Sequence, residues 1–150
     1  MKNCNGKDIE TDLDSCVCFN LRKAARAITQ IYDDVFRPIE LRATQFTVLA
    51  HISLFAPITV SRLADLMVMD RTTLTRNLRP LQKRGLLEVT SGNDRRTRVV
   101  TLTERGENML SQALPLWKNV QARIVEGLGT DRWDSILGGL SDVLEQTRAE

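Results

Sequence analysis

Apolar residues at Val17, Leu21, Ala24, Ile28, Ile31 and Val35 follow one another in alternating steps of four and three. That seam predicts a single amphipathic helix over about 13–37. Ser15 is its expected N-cap, and Pro38 ends it because proline pushes the preceding residue out of helical geometry. A second helix is expected over about 45–55, with Phe46, Leu49 and Ala50 inward and Pro57 closing it. Thr59 can cap a third, whose buried face is Val60, Leu63, Ala64 and Met67. After the short link Val68-Met69, Asp70 is placed to cap a fourth helix running to about 84, with Gly85 as its stop.

Past Gly85 the period changes from 3.6 to 2. Leu87 and Val89 alternate with polar residues, and so do Val100 and Leu102, around the turn-rich run Ser91-Gly92-Asn93-Asp94. This predicts a β-hairpin with Arg95, Arg96 and Arg98 at a basic tip. Thr103 then caps a long helix with Leu110, Ala113, Trp117, Val120, Ile124 and Leu128 on one side. Pro115 is expected to bend it, and Gly127 and Gly129 to end it. A last helix carries Trp133, Ile136, Leu137, Leu140, Val143 and Leu144. The expected fold is mainly α with a small β-hairpin wing: a compact core over 45–103, flanked by long one-face-apolar segments over 13–37 and 104–148.

Composition adds exclusions. The chain of 150 residues is 42% apolar and 27% charged, which suits a globular protein. No apolar run approaches the roughly 18 residues of a membrane span, and the first residues lack the apolar stretch of a signal peptide. A cytoplasmic location is expected, with no membrane partner. Three cysteines, Cys4, Cys16 and Cys18, crowd the start of the chain. An odd number in a reducing compartment argues against a disulfide framework.

Net charge is only +2, but it is unevenly spread. Residues 71–105 hold nine cations (Arg71, Arg76, Arg79, Lys83, Arg84, Arg95, Arg96, Arg98, Arg105) against three anions (Glu88, Asp94, Glu104). That block is net +6 and the remainder net −4, a footprint suited to a polyanion. On a helical wheel, Leu74, Leu78 and Leu81 cluster on one face of 71–84, while Thr72, Thr75, Arg76, Arg79 and Lys83 face the opposite way. A stripe of hydroxyls and cations without a carboxylate is the chemistry of a recognition helix. Arginine bonds guanine bidentately, threonine meets a thymine methyl or a phosphate, and lysine neutralises phosphate. The helix before it completes a helix-turn-helix. The hairpin tip is slim enough for a minor groove, where arginine is favoured. Asp94 either holds one of its guanidinium groups or only shapes the turn.

The runs Thr59-Val60-Ser61-Arg62-Leu63-Ala64, Asp70-Arg71-Thr72-Thr73-Leu74-Thr75-Arg76, Lys83-Arg84-Gly85-Leu86-Leu87, Asp94-Arg95-Arg96 and Val100-Thr101-Leu102-Thr103-Glu104-Arg105-Gly106 resemble the MarR family of regulators. The resemblance covers about 13–148. It implies a winged helix-turn-helix homodimer whose first and last helices interlock. It also implies two recognition helices in successive major grooves of double-stranded DNA, repression at a pseudo-palindromic operator, and release by a small ligand or an oxidant. By position Thr72, Thr73, Thr75, Arg76 and Arg79 match the recognition helix, and Asp94 and Arg96 the wing; Arg71, Lys83 and Arg95 complete the expected contact set. Two departures stand out. Glu40 occupies a place where the family often has glycine, and Pro80 lies inside the recognition helix.

Cys18-Phe19, with Tyr32 fourteen residues on, resembles the organic-hydroperoxide-sensing branch, whose reactive cysteine lies here and whose tyrosine contacts it across the dimer. The first helical turn and Arg22, one turn on, favour a thiolate, while Asp12 and Asp14 oppose it. The branch usually has a tyrosine where Arg22 stands. Cys16 and Cys4 are the available resolving thiols. Cys16 and Cys18 face different sides of a helix, so a shared soft-metal or metalloid site needs Cys4 or another subunit. Small apolar residues in an interface are the plain alternative. His51, the only histidine, reads as structural, and Trp117 and Trp133 as core residues that can also line a pocket. No cofactor or metal is expected. No glycine-rich phosphate loop or nucleophile–base pair suggests an enzyme. A helical protein-interaction module without DNA binding is the rival class.

Overall fold

The structure, a computed structural model, describes residues 14–94 and 96–148. Cys4, Asp12 and Arg95 lie outside the described residues. Among the described residues from Val17 onward, six helices and three strands run in the order α1 (Val17–Phe36), α2 (Ala43–Phe55), β1 (Ile58–Thr59), α3 (Val60–Leu66), α4 (Arg71–Lys83), β2 (Leu87–Ser91), β3 (Arg98–Leu102), α5 (Glu104–Leu128) and α6 (Thr130–Arg148). A 3₁₀ turn, Arg37–Ile39, follows α1 and contains Pro38.

The capping expectations largely hold. Thr59 Oγ1 accepts from Arg62 N–H, Asp70 Oδ1 from Thr73 N–H, and Thr103 Oγ1 from Gly106 N–H. Each satisfies an amide that the helix leaves without a partner. Ser15 is not the cap of α1: Cys16 holds that position, with no side-chain hydrogen bond to the helix. Gly85 follows α4 at φ +68° and Gly129 follows α5 at φ +83°, both left-handed conformations that cost glycine little. Gly127 does not end α5, which runs on to Leu128. Pro115 lies within α5 and Pro80 within α4, and neither interrupts its helix.

The sheet has three strands, not the two of a hairpin. β3 lies between β1 and β2, antiparallel to both, with Val100 opposite Ile58 on one side and Val89 on the other. β1 was not foreseen because two residues are too few for an alternating pattern. Pairing with β3 makes it a strand. Arg98 belongs to β3 and not to the hairpin tip.

One apolar core joins all of this. Leu49, Ile52, Leu63, Leu74, Leu81, Leu86, Leu87 and Val100 are buried together. Phe36 from α1 and Leu110 and Ala113 from α5 belong to the same cluster, so the flanking helices share the core of the winged-helix segment. Fully burying side chains of this size is worth roughly 1.5–3 kcal/mol each before entropy is counted. The outer faces of α1, α5 and α6 are different. Val17 is 61% exposed and Ile31 44%, and Ile136, Leu137, Leu140 and Leu144 are exposed on α6. The apolar seam read from the sequence is therefore present, but within one chain it is only partly covered.

Candidate nucleic-acid interface

The amphipathic division of α4 is realised in the fold. Leu74, Leu78 and Leu81 are buried, while Arg71, Thr72, Thr73, Thr75, Arg76, Arg79 and Lys83 are exposed. Arg71, Thr72, Thr75, Arg76 and Arg79 line one open depression along the helix. A second groove, between α4 and the wing, adds Arg98 to Arg71, Thr75, Arg79 and Gln82. Strand pairing brings Arg98 there: its register opposite Ser91 sets it at the end of the β2–β3 ladder, beside the α4 face. Arg98 and Gln82 thus join the expected set. Sequence separation hid their proximity to Arg71.

Among the described residues, ion pairs form only between Arg37 and Asp34 and between Arg42 and Asp33. No described carboxylate lies within ion-pair distance of Arg71, Arg76, Arg79, Lys83, Arg96 or Arg98. A surface that gathers cations and leaves them without counter-charges carries a strong positive potential.

The hydroxyls are more constrained than their exposure suggests. Thr73 Oγ1 donates to Asp70 Oδ2 at 2.5 Å, and Thr75 Oγ1 donates to the Arg71 carbonyl at 2.7 Å. Thr73 therefore belongs first to the N-cap. Thr75, with its proton used inside the helix, offers a methyl group and a lone pair outward, a better match to a thymine methyl than to a phosphate. The Thr73 hydroxyl and amide also hold the Asp70 carboxyl below its ordinary value of 3.8.

At the wing, Asp94 Oδ1 accepts from the Arg96 backbone N–H at 3.1 Å, and the Asp94 carbonyl accepts from Thr97 N–H at 2.9 Å. Of the two roles expected for Asp94, these bonds are those of turn shaping. The guanidinium of Arg96 remains exposed and unpaired among the described residues.

The effector candidates are scattered. Cys18 is the second residue of α1 and exposed, and Cys16 is half-buried at the cap; both are free thiols. Arg22 lies one turn beyond Cys18 and is exposed. Tyr32 is fourteen residues from Cys18 on the same helix, about 21 Å along the axis, so the two do not meet within one chain. The Tyr32 hydroxyl instead donates to Gln121 Oε1 on α5 at 2.6 Å, and burial pushes its pKa up. Tyr32, Phe36, Phe46 and Trp117 line a cavity of about 280 Å³ between α1, α2 and α5, in which Phe46 and Trp117 stack at 6.0 Å. His51 Nδ1 lies 2.8 Å from the Thr47 carbonyl within α2, a local structural contact.

Known proteins share this architecture. A family model described as the MarR family matches residues 40–97. The transcriptional regulator MosR of M. tuberculosis, solved in complex with DNA, is 40% identical; the match covers 89% of this chain and 99% of that one, with a TM-score of 0.79. A MarR variant from E. coli complexed with operator DNA is 26% identical, over 83% of this chain and 90% of that one, with a TM-score of 0.77. An uncharacterised HTH-type transcriptional regulator of Bacillus cereus is 27% identical over 106 residues, 71% of each chain. With a wing, a recognition-type helix bearing unpaired cations, and near-complete overlap with a 40% identical regulator, the chain belongs to the MarR family of winged helix-turn-helix, DNA-binding transcriptional regulators.

Proposed function

We propose that the protein is a homodimeric repressor that binds a pseudo-palindromic operator and leaves it when a small ligand binds or a thiol is oxidised. The observation that carries this reading is a division of surfaces. Unpaired cations gather on α4 and the wing, and unpartnered apolar residues gather on α1, α5 and α6. The first surface suits a duplex. The second suits another copy of the chain, as the family resemblance implies. Arg76 and Arg79 are then the base- and phosphate-directed groups of α4, Thr72 and Thr75 its smaller contacts, and Arg71, Lys83, Arg95 and Arg96 neutralise phosphates.

Arg76→Ala and Arg96→Ala should each weaken binding to a selected operator duplex by about tenfold, read by fluorescence anisotropy at fixed salt. Unchanged affinity for both variants would remove the proposed contact surface and favour the protein-interaction alternative.

Two features support the release step. The aromatic cavity at Tyr32, Phe46 and Trp117 adjoins both α1 and α2, and its size suits a small aromatic ligand. Cys18 lies exposed in the first turn of α1, open to an oxidant. Attack of its sulfur, as thiolate, on a hydroperoxide O–O bond gives a sulfenic acid and releases the alcohol. Hydroperoxide should then release the wild type from DNA and leave Cys18→Ser bound. Equal release of both proteins counts against oxidation at this thiol.

A further inference from the structure

We infer that Arg84 is a positioning residue for operator recognition, fastening the C-terminal end of α4 to the segment that joins α1 to α2. The inference rests on the regulator reading above. Among the described residues, two long-range side-chain hydrogen bonds converge on one point. Arg84 Nη1 donates to the Glu40 carbonyl at 2.7 Å across 44 positions, and Thr103 Oγ1 donates to the Gly85 carbonyl at 2.6 Å across 18. The end of the recognition helix is therefore held from two sides, by the α1–α2 linker and by the cap of α5.

The linker is built to present that carbonyl. Glu40 adopts φ 52°, ψ 37°, a left-handed conformation, and its own N–H donates to the Arg37 carbonyl. Asp33 on α1 anchors the next residues: its Oδ1 accepts from Ala43 N–H at 2.7 Å and its Oδ2 pairs with Arg42 Nη1 at 3.2 Å. Asp33 thus fixes the linker just past Glu40 to α1, and Arg84 ties the same linker to the end of α4. The core contacts of Leu74, Leu78 and Leu81 hold α4 down, but apolar contact is non-directional. Hydrogen bonds with defined geometry fix the orientation that apolar burial leaves free. In a dimer joined through α1, that orientation sets the separation of the two recognition helices.

The rival role for Arg84 is direct contact with a DNA phosphate, and salt dependence separates the two. The probe is a duplex selected from a random library by the full-length wild type. Companion duplexes have the half-sites one base pair closer or farther apart, and one duplex is unrelated in sequence. Arg84→Met keeps the apolar stem and removes the donor; Arg84→Lys keeps a donor. The expected result is an operator affinity about tenfold lower for Arg84→Met, with affinity for the unrelated duplex nearly unchanged. The preference for native spacing should shrink, the slope of log affinity against log salt should match the wild type, and Arg84→Lys should recover most of the loss. Circular dichroism checks that each variant is folded. If Arg84→Met is unfolded, the same contrast is read between Arg84→Lys and Arg84→Gln. A salt slope reduced by about one with spacing preference intact identifies a phosphate contact and overturns the proposal. Unaltered affinity and spacing preference overturn it as well. A wild type that selects no duplex overturns the regulator reading itself.

Discussion

Glu40 shows how a departure from a family pattern acquires a physical meaning. Its backbone lies at φ 52°, ψ 37°, where a side chain crowds the following carbonyl and glycine does not. The preference for glycine at this place follows from that geometry. Glu40→Gly should raise stability by about 1 kcal/mol, less the added entropy of the unfolded chain. The linker hydrogen bonds are backbone-based on the Glu40 side and survive the change. Chemical denaturation compares the two proteins, and a midpoint lowered by the full entropic cost of a glycine would contradict a strained position. Gly106 carries the opposite constraint. A Cβ there would stand 1.9 Å from the Leu86 carbonyl oxygen, so the first turn of α5 can approach the end of α4 only with glycine at this place. That is the physical content of the Leu102-Thr103-Glu104-Arg105-Gly106 motif.

At the scale of elements, α4 is specified twice over. Its apolar stripe sets the buried face, and Asp70 sets its beginning by bonding both the amide and the hydroxyl of Thr73. Pro80 comes one turn before the end, so it removes a single hydrogen bond, the one its N–H would have given to the Arg76 carbonyl, and the helix continues. Because those bonds lower the Asp70 pKa, the carboxylate's contribution is present above the ordinary value of 3.8 and is lost as pH falls through the lowered folded value. Asp70→Asn keeps a capping side chain without the charge. The stability advantage of wild type over Asp70→Asn should hold at pH 6 and decline as pH falls below about 4. Melting curves across that range test it, and a constant difference would mean the charge is not what the cap uses.

At the scale of the whole molecule, α6 is the element that most needs explanation. Ile136, Leu137, Leu140 and Leu144 are exposed on it, and its neighbour in the chain is the end of α5. An amphipathic helix left open in this way gains little from its own chain, and in the proposed homodimer a second copy would supply the missing surface. On that proposal the wild type sediments as a dimer and Leu140→Glu shifts it to monomer. The substitution should also lower operator binding, because two half-sites about one helical turn apart need both recognition helices. A Leu140→Glu protein that stays dimeric would remove α6 from the interface.

Much of this was legible in the linear pattern. Six helices, their caps at Thr59, Asp70 and Thr103, the wing and the cationic face of α4 all follow from spacing, because amphipathic period and capping are local properties of the chain. Other features depended on segments distant in sequence coming together. β1 exists through β3, Arg98 joins Arg71 and Arg79 through strand register, and Arg84 reaches the Glu40 carbonyl across 44 positions. The Thr73 and Thr75 hydroxyls, which looked free in the sequence, are committed to the helix. Local periodicity determined which face of each element is apolar and which is charged. Only the tertiary fold decided which charged groups share a surface and which polar groups hold the elements at their angles, since those relations depend on loop closure and packing that no short window of residues contains.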